Sequence, residues 1–85
     1  METVHRTTIH ATCPHGGWDY YDVQYSPVEF VTVEDFQRAC DRVRGIEAYQ
    51  ETIIERLSAR LPSGQLTISG RHGANTETTC THRIP

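Results

Sequence analysis

The sequence predicts an α+β fold in which two hairpins form one antiparallel sheet and two helices cover one of its faces. Three observations lead to that reading. Residues 20–26 alternate, with Tyr21, Val23 and Tyr25 in one phase and Asp22, Gln24 and Ser26 in the other, the period of a half-buried strand. Two later stretches carry apolar residues at helical spacing: Val33, Phe36, Cys40 and Val43, then Tyr49, Ile53, Ile54, Leu57 and Leu61. Strand signals come before and after this helical pair and do not alternate with it, which argues against βαβ units. The 85 residues, 1–85, make one domain. A chain of this size buries only about 60% of its unfolded surface. Its core is therefore modest, and the expected remedy is a homo-oligomer whose pockets are shared between subunits.

Each element has its own signal. Val4 to Thr12 is rich in Thr, Val and Ile and reads as a strand. Pro14 to Trp18 is the turn of the first hairpin, and Pro27 closes its second strand. Thr32, with Asp35 three residues on, marks a helix N-terminus, because the hydroxyl accepts a backbone N–H and the carboxylate complements the helix dipole. Gly45 breaks the first helix, and Pro62-Ser63-Gly64 stops the second. Gln65 to Ser69 is a short strand, Gly70 to Asn75 a turn, and Thr76 to Thr81 the last strand.

Composition removes several function classes. The net charge is −3, so there is no direct nucleic-acid footprint. All eight cations of the Lys+Arg class are Arg, which excludes a Walker lysine and a Schiff-base lysine. No apolar run approaches the ~20 residues of a membrane span. Met1 to His10 is polar and alternating, unlike a signal peptide. Three cysteines at irregular spacing (Cys13, Cys40, Cys80) point to a reducing cytoplasm and not to a disulfide framework. His5, His10 and His82 belong to no motif and read as surface residues.

The chemistry-bearing stretch is Cys13-Pro14-His15-Gly16-Gly17-Trp18-Asp19. A thiol, a glycine turn and a carboxylate fall within seven residues, at the joint of the first hairpin. Cys13 is the candidate nucleophile. A free thiol of pKa ~8.5 needs a neighbouring cation, base or dipole, and His15 is close in sequence. Asp19 is the candidate general acid–base, or else an ordinary turn Asp opening a strand. Asp22 is in the opposite phase to the apolar residues and reads as solvated. Cys40 lies on the apolar stripe of the first helix and reads as core; Cys80 reads as a bystander. Glu47, Glu51 and Glu55 on the second helix read as solvent-facing residues, with Arg44 or Arg56 available to pair Glu51. His72, in the Gly70–Gly73 turn, can orient a ligand or join Cys13 and His15 as a zinc set.

Taken together, these residues in this order resemble the tunnelling fold of purine- and pterin-handling enzymes, and within it the 7-cyano-7-deazaguanine reductases of the queuosine pathway. Members have Cys-Pro ending the first strand, then Gly, then Asp opening a strand that closes on Tyr-x-Pro. Here these are Cys13-Pro14, Gly16 or Gly17, Asp19, and Tyr25-Ser26-Pro27. An aromatic-His-Glu triplet in the second helix corresponds to Tyr49-Gln50-Glu51, and a strand with a glycine turn to Leu66–Gly70 and His72-Gly73. The resemblance runs from about Ile9 to Thr79. It implies a sheet continued across subunits and a purine-like small-molecule substrate. It further implies thiolate attack by Cys13 on a nitrile to give a thioimide, with Asp19 as the acid. Glu51 accepts from the adjacent N–H and NH₂ donors of a guanine-like ring, and Gln50 and His72 complete the substrate site.

Three departures shape the expected reaction. The Cys13–Asp19 spacing is one residue shorter than in the reductases, and Gln50 stands where they have His. The Glu-Ser-Lys-rich NADPH motif is replaced by Val31-Thr32-Val33-Glu34-Asp35-Phe36, with no Lys and with added acid. Arg38 and Arg42, further along the helix, are the cations available to Asp35 and Glu34. No cofactor is therefore expected, and amidino transfer or hydrolysis is favoured over NADPH reduction, as in the related archaeosine amidinotransferases. The alternatives are a zinc-dependent enzyme similar to GTP cyclohydrolase, or a non-catalytic purine-binding or assembly module.

Overall fold

The phases read from the strands are those the fold buries. The computed structural model describes residues 2–16 and 18–85, with the backbone alone at Trp18. Six elements follow in order: β1 (His5–Thr12), β2 (Trp18–Pro27), α1 (Val33–Asp41), α2 (Gln50–Ser58), β3 (Gly64–His72) and β4 (Thr76–Ile84). The strands form one antiparallel sheet in the order β1-β2-β3-β4. The fold is thus a small α+β one, with α1 packed against β1 and α2 across β3 and β4.

Ile9 and Ala11 of β1, Tyr21, Val23 and Tyr25 of β2, and Leu66 and Ile68 of β3 all point toward the helices and are buried. They meet Phe36, Ala39, Cys40 and Val43 from the α1 side and Ile53, Ile54 and Leu57 from α2. Truncating a fully buried member such as Leu57 or Leu66 to Ala costs about 2–5 kcal/mol. The opposite face of the sheet is polar, with Asp22 and Gln24 exposed.

The helix signals hold with adjustments. Thr32 caps α1, its Oγ1 accepting from the Asp35 N–H at 3.1 Å. Gly45 takes φ +75, a conformation glycine adopts without strain. Two residues assigned to the apolar stripes lie outside the core: Val33 and Tyr49 sit at the helix starts and are half exposed. Leu61 is buried but lies beyond the end of α2. The later strands are longer than their sequence signals, because pairing carries β3 through Gly70 to His72 and β4 on to Ile84. Arg38 pairs with Asp35 at 2.8 Å, while Arg42 has no such bond to Glu34.

His5 corrects the surface reading. It is buried, its Nε2 donates to the Val31 carbonyl at 2.8 Å, and its ring stacks on Phe36 at 5.2 Å. The reason lies in β1 itself, where His5 is in phase with Ile9 and Ala11.

The connector between the helices docks on the outer edge of β1. Gly45 N–H donates to the His10 carbonyl, Thr12 N–H to the Ile46 carbonyl, and Ala48 N–H to the Thr12 carbonyl. Arg44 adds a bond from its guanidinium to the Thr8 carbonyl at 2.9 Å. This docking brings the start of α2 beside the end of β1, and so brings Tyr49, Gln50 and Glu51 toward Cys13.

Candidate active site

One end of the sheet collects side chains from β2, β3 and α2 into two hydrogen-bonded pairs, Gln50 with His72 and Tyr21 with Asp19, that face each other across a His72–Asp19 ion-pair distance. Gln50 anchors the first pair. Its side-chain NH₂ donates to the carbonyls of Ile68 and Thr78, both at 2.8 Å. Those two acceptors fix which end of the amide is which, so Gln50 Oε1 is an acceptor and His72 Nε2, 2.9 Å away, is the donor. The other ring nitrogen of His72, Nδ1, faces Asp19 Oδ2 at 3.7 Å. The same carboxylate oxygen accepts from the Tyr21 hydroxyl at 3.2 Å. The order across the two pairs is Gln50–His72–Asp19–Tyr21.

Gly70 makes room for this arrangement. A Cβ at that position would stand 2.3 Å from the Tyr21 ring, and 3.4 Å from Gln50 Oε1. Tyr21 lies opposite Gly70 in the β2–β3 register, so the ring lies across the glycine and its hydroxyl reaches Asp19.

Burial grades the members by role. Gln50 is only 2% exposed with its donors and acceptor engaged, so it does not meet a ligand directly. Its link to the more exposed side of the cluster runs through His72. The side chains of Asp19 and His72 are 17% and 36% exposed, accessible to a small molecule yet held. Asp19 also borders an open cleft of about 410 Å³ whose other walls include Tyr20, Asp22, Ser69 and Arg71 and do not include Cys13, Glu51 or His72.

Cys13 and Glu51 belong to the same neighbourhood. Tyr21 is pushed well above the usual phenol range by burial first, and then by the Asp19 charge and hydrogen bond and the charges of Cys13 and Glu51. Burial and the Asp19 charge thus favour the neutral, donating form of the Tyr21 hydroxyl. Cys80 is raised by burial and then by the Glu51 charge, and the Glu51 side chain itself is exposed. Cys13 is half-buried just past β1. Cys40 differs: buried in the core, its thiol is pushed up to about 11, chiefly by burial.

His15 has its partner on Tyr49, at the start of α2. Its Nε2 hydrogen-bonds the Tyr49 hydroxyl at 3.1 Å and its ring leans on the Tyr49 ring. Among the described residues no three His, Cys, Asp or Glu groups converge on a metal-binding point. Cys13, His15 and His72 thus do not form one set within this chain. Gly16 takes φ +99 in the turn after Cys13, and Gly17 lies outside the described residues.

No family model, curated protein or solved structure matches the chain. Among the described residues no helix is long and apolar enough to cross a membrane. The residue that the sequence reading missed is Tyr21. The alternation in β2 gives Tyr21 and Tyr25 the same inward phase, and nothing in that pattern separates a core ring from one that serves a site.

Proposed function

We propose that the chain is a tunnelling-fold, Cys13-dependent enzyme acting on a 7-deazaguanine-type nitrile such as 7-cyano-7-deazaguanine. The observation that carries this reading is convergence. Asp19, from the first hairpin, and His72, from the second, meet beside Tyr21, and the charges of Cys13 and Glu51 are near enough to raise the Tyr21 pKa.

In the proposed reaction the Cys13 thiolate attacks the nitrile carbon. An S–C bond forms, the C≡N triple bond becomes C=N, and the nitrogen takes a proton from the Asp19–His72 pair. The product is a thioimide. Ammonia or water then adds to the same carbon and the thiol leaves, giving amidino transfer or hydrolysis. Glu51 accepts from the ring N–H and exocyclic NH₂ of the base. Tyr21 holds Asp19 through Oδ2 and leaves Oδ1 toward the substrate. His72, itself set by Gln50, is a positioning and proton-relay residue. The acidic start of α1, with Glu34 and Asp35 exposed, supports a second reactant other than NADPH.

The assembly that accompanies this reading is a homo-oligomer that continues the sheet. The two edges are unequal for that purpose. The connector and Arg44 occupy outward carbonyls of β1 at Thr8, His10 and Thr12, so a neighbour's strand can join β1 only before Thr8. Among the described residues the outer side of β4 pairs with no strand. Light scattering at micromolar concentration tests the assembly, and a stable monomer argues against it.

Intact-mass spectrometry after incubation with the nitrile tests the chemistry. The expected result is an adduct of the nitrile's mass that is lost in Cys13→Ala and kept in Cys40→Ala. Absence of an adduct across the pH range sinks the enzyme reading, and binding without adduct favours a purine-binding module. A Cys13-dependent oxidation of NADPH, followed at 340 nm, would return the chain to reduction.

A further inference from the structure

The eight arginines divide into two groups. Arg6, Arg38, Arg44, Arg71 and Arg83 each have a hydrogen-bond or ion-pair partner: Gln24, Asp35, Asp41 and Thr8, the Ala74 carbonyl, and Gln65. The guanidinium groups of Arg42, Arg56 and Arg60 have none among the described residues.

Those three line one place. A cleft of about 270 Å³ between α1 and the end of α2 is lined by Asp35, Arg38, Arg42 and Arg60, with Leu61 and Pro62 on its apolar wall. A second cleft of about 520 Å³ is lined by Arg42, Arg56 and Arg60 with Val43, so the two share Arg42 and Arg60. Asp35 is the one carboxylate lining either cleft, and Arg38 already pairs with it at 2.8 Å.

The arrangement works against the helices that carry it. Arg38 with Arg42, and Arg56 with Arg60, are like charges at i,i+4, which repel. The helix dipoles account for Arg38 and Arg56, which stand in the last turns of α1 and α2. Arg42, the C-cap of α1, and Arg60, just past the C-cap of α2, are favoured by the same dipoles. What the dipoles do not require is that the two helix ends face shared clefts.

We propose that this double cleft is a binding site for a polyphosphate group, a diphosphate or triphosphate. A guanidinium presents a planar fork of N–H donors that matches phosphate oxygens two at a time. Three unpaired forks need more acceptor oxygens than one carboxylate offers, and a diphosphate supplies them. The smaller cleft is below the size of a drug-like ligand pocket, so it takes the phosphates and not a whole nucleotide. The site lies on the helix layer, built from residues other than those around Tyr21, and does not depend on the nitrile chemistry.

Isothermal titration calorimetry of the full chain at low ionic strength, with inorganic pyrophosphate, tests it. The expected result is saturable binding that weakens as salt is raised and falls at least tenfold in Arg42→Gln/Arg60→Gln. Arg6→Gln keeps it, and circular dichroism checks that each variant is folded. A parallel titration with GTP separates the sources. Equal loss of GTP binding in the double variant assigns the site to a nucleotide's phosphate tail, whereas GTP without affinity beside bound pyrophosphate assigns it to a free polyphosphate. No pyrophosphate binding by the folded wild-type chain overturns the proposal. So does binding unchanged in the double variant, or a DNA duplex bound more tightly than pyrophosphate. Nitrile adduct formation, measured on the same double variant, is expected to be unchanged.

Discussion

The two ends of the sheet use the same residue types to opposite effect. At one end His5 and Tyr25 are buried with Phe36, the Tyr25 and Phe36 rings nearly parallel at 5°. Their polar atoms go to backbone carbonyls: His5 Nε2 to Val31 and the Tyr25 hydroxyl to Pro62 at 2.7 Å. At the other end His72 and Tyr21 spend their polar atoms on side chains, Gln50 and Asp19. Tyr21 and Tyr25 share a strand and a face, four residues apart. A carbonyl partner is neutral and fixed, so it seals the end. A carboxylate partner carries charge and can exchange protons, so the end stays chemically open. Both histidines give Nε2 to a neutral oxygen; what separates them is that His72 is more exposed and turns its other nitrogen to the Asp19 carboxylate.

The largest expected effect lies at the sealed end. His5→Ala removes a buried ring and its hydrogen bond, and is expected to cost about 2–4 kcal/mol in urea unfolding. Nitrile binding by the protein that remains folded should be unchanged. A loss below about 1 kcal/mol would break the contrast between the ends. His72→Ala is expected to do the reverse: about 1 kcal/mol of stability and at least a tenfold slower adduct. His72→Gln, which can still accept from or donate to its neighbours, should recover part of the rate if His72 acts by positioning.

The thiols extend the comparison. Burial raises Cys40 from an ordinary value near 9 to about 11. The unfolded chain therefore loses that proton first. The neutral-thiol contribution is full below about pH 9 and is lost as pH rises toward 11, on the order of 1 kcal/mol per unit for one group. Tyr25 and Tyr21, both raised from 10, extend the loss upward. Urea midpoints at about pH 8 and about pH 10.5 should show a fall that Cys40→Ala reduces. Iodoacetamide near neutral pH should label the half-buried Cys13 and spare Cys40 until the chain unfolds.

Smaller effects sharpen the contrast. Tyr25→Phe forfeits the bond to Pro62 and is expected to cost about 1 kcal/mol. Tyr21→Phe should cost no more than that in stability, yet shift the pH profile of adduct formation, because Asp19 loses a donor. A profile identical to wild type would remove Tyr21 from the site. Finally, ¹⁵N spectra of the imidazoles should show Nε2 protonated in both His5 and His72, since each faces an obligate acceptor.

How much of this was readable from residues alone depends on how local the cause was. The element order, the inward phase of Tyr21, Val23 and Tyr25, and the cap at Thr32 were legible, because each follows from period or from a single hydroxyl. Asp19 and His72 were legible as candidates, and the fold brings them within 3.7 Å. His5 was misread because a lone histidine in a polar N-terminal stretch outweighed its phase with Ile9. The docking of Gly45 to Ala48 on β1 left no signal, since backbone-to-backbone bonds between distant segments carry no side-chain pattern. Gln50 was legible as a candidate but its burial was not, since two of its three partners are main-chain carbonyls.

The β2–β3 pairing also sets a folding order. Each hairpin pairs neighbours in sequence and closes cheaply, whereas joining β2 to β3 must first close the span 28–63. Asp19 and Tyr21 belong to the first hairpin, His72 to the second, and Gln50 to the span between them. In pulse-labelling exchange, amides within the hairpins are expected to gain protection before those bonded across β2 and β3. Binding competence should appear only with the later phase. Slowing closure of that span, for example with a glycine insertion between Gly45 and Ala48, should delay the gain of activity on refolding while leaving hairpin protection on its original timescale.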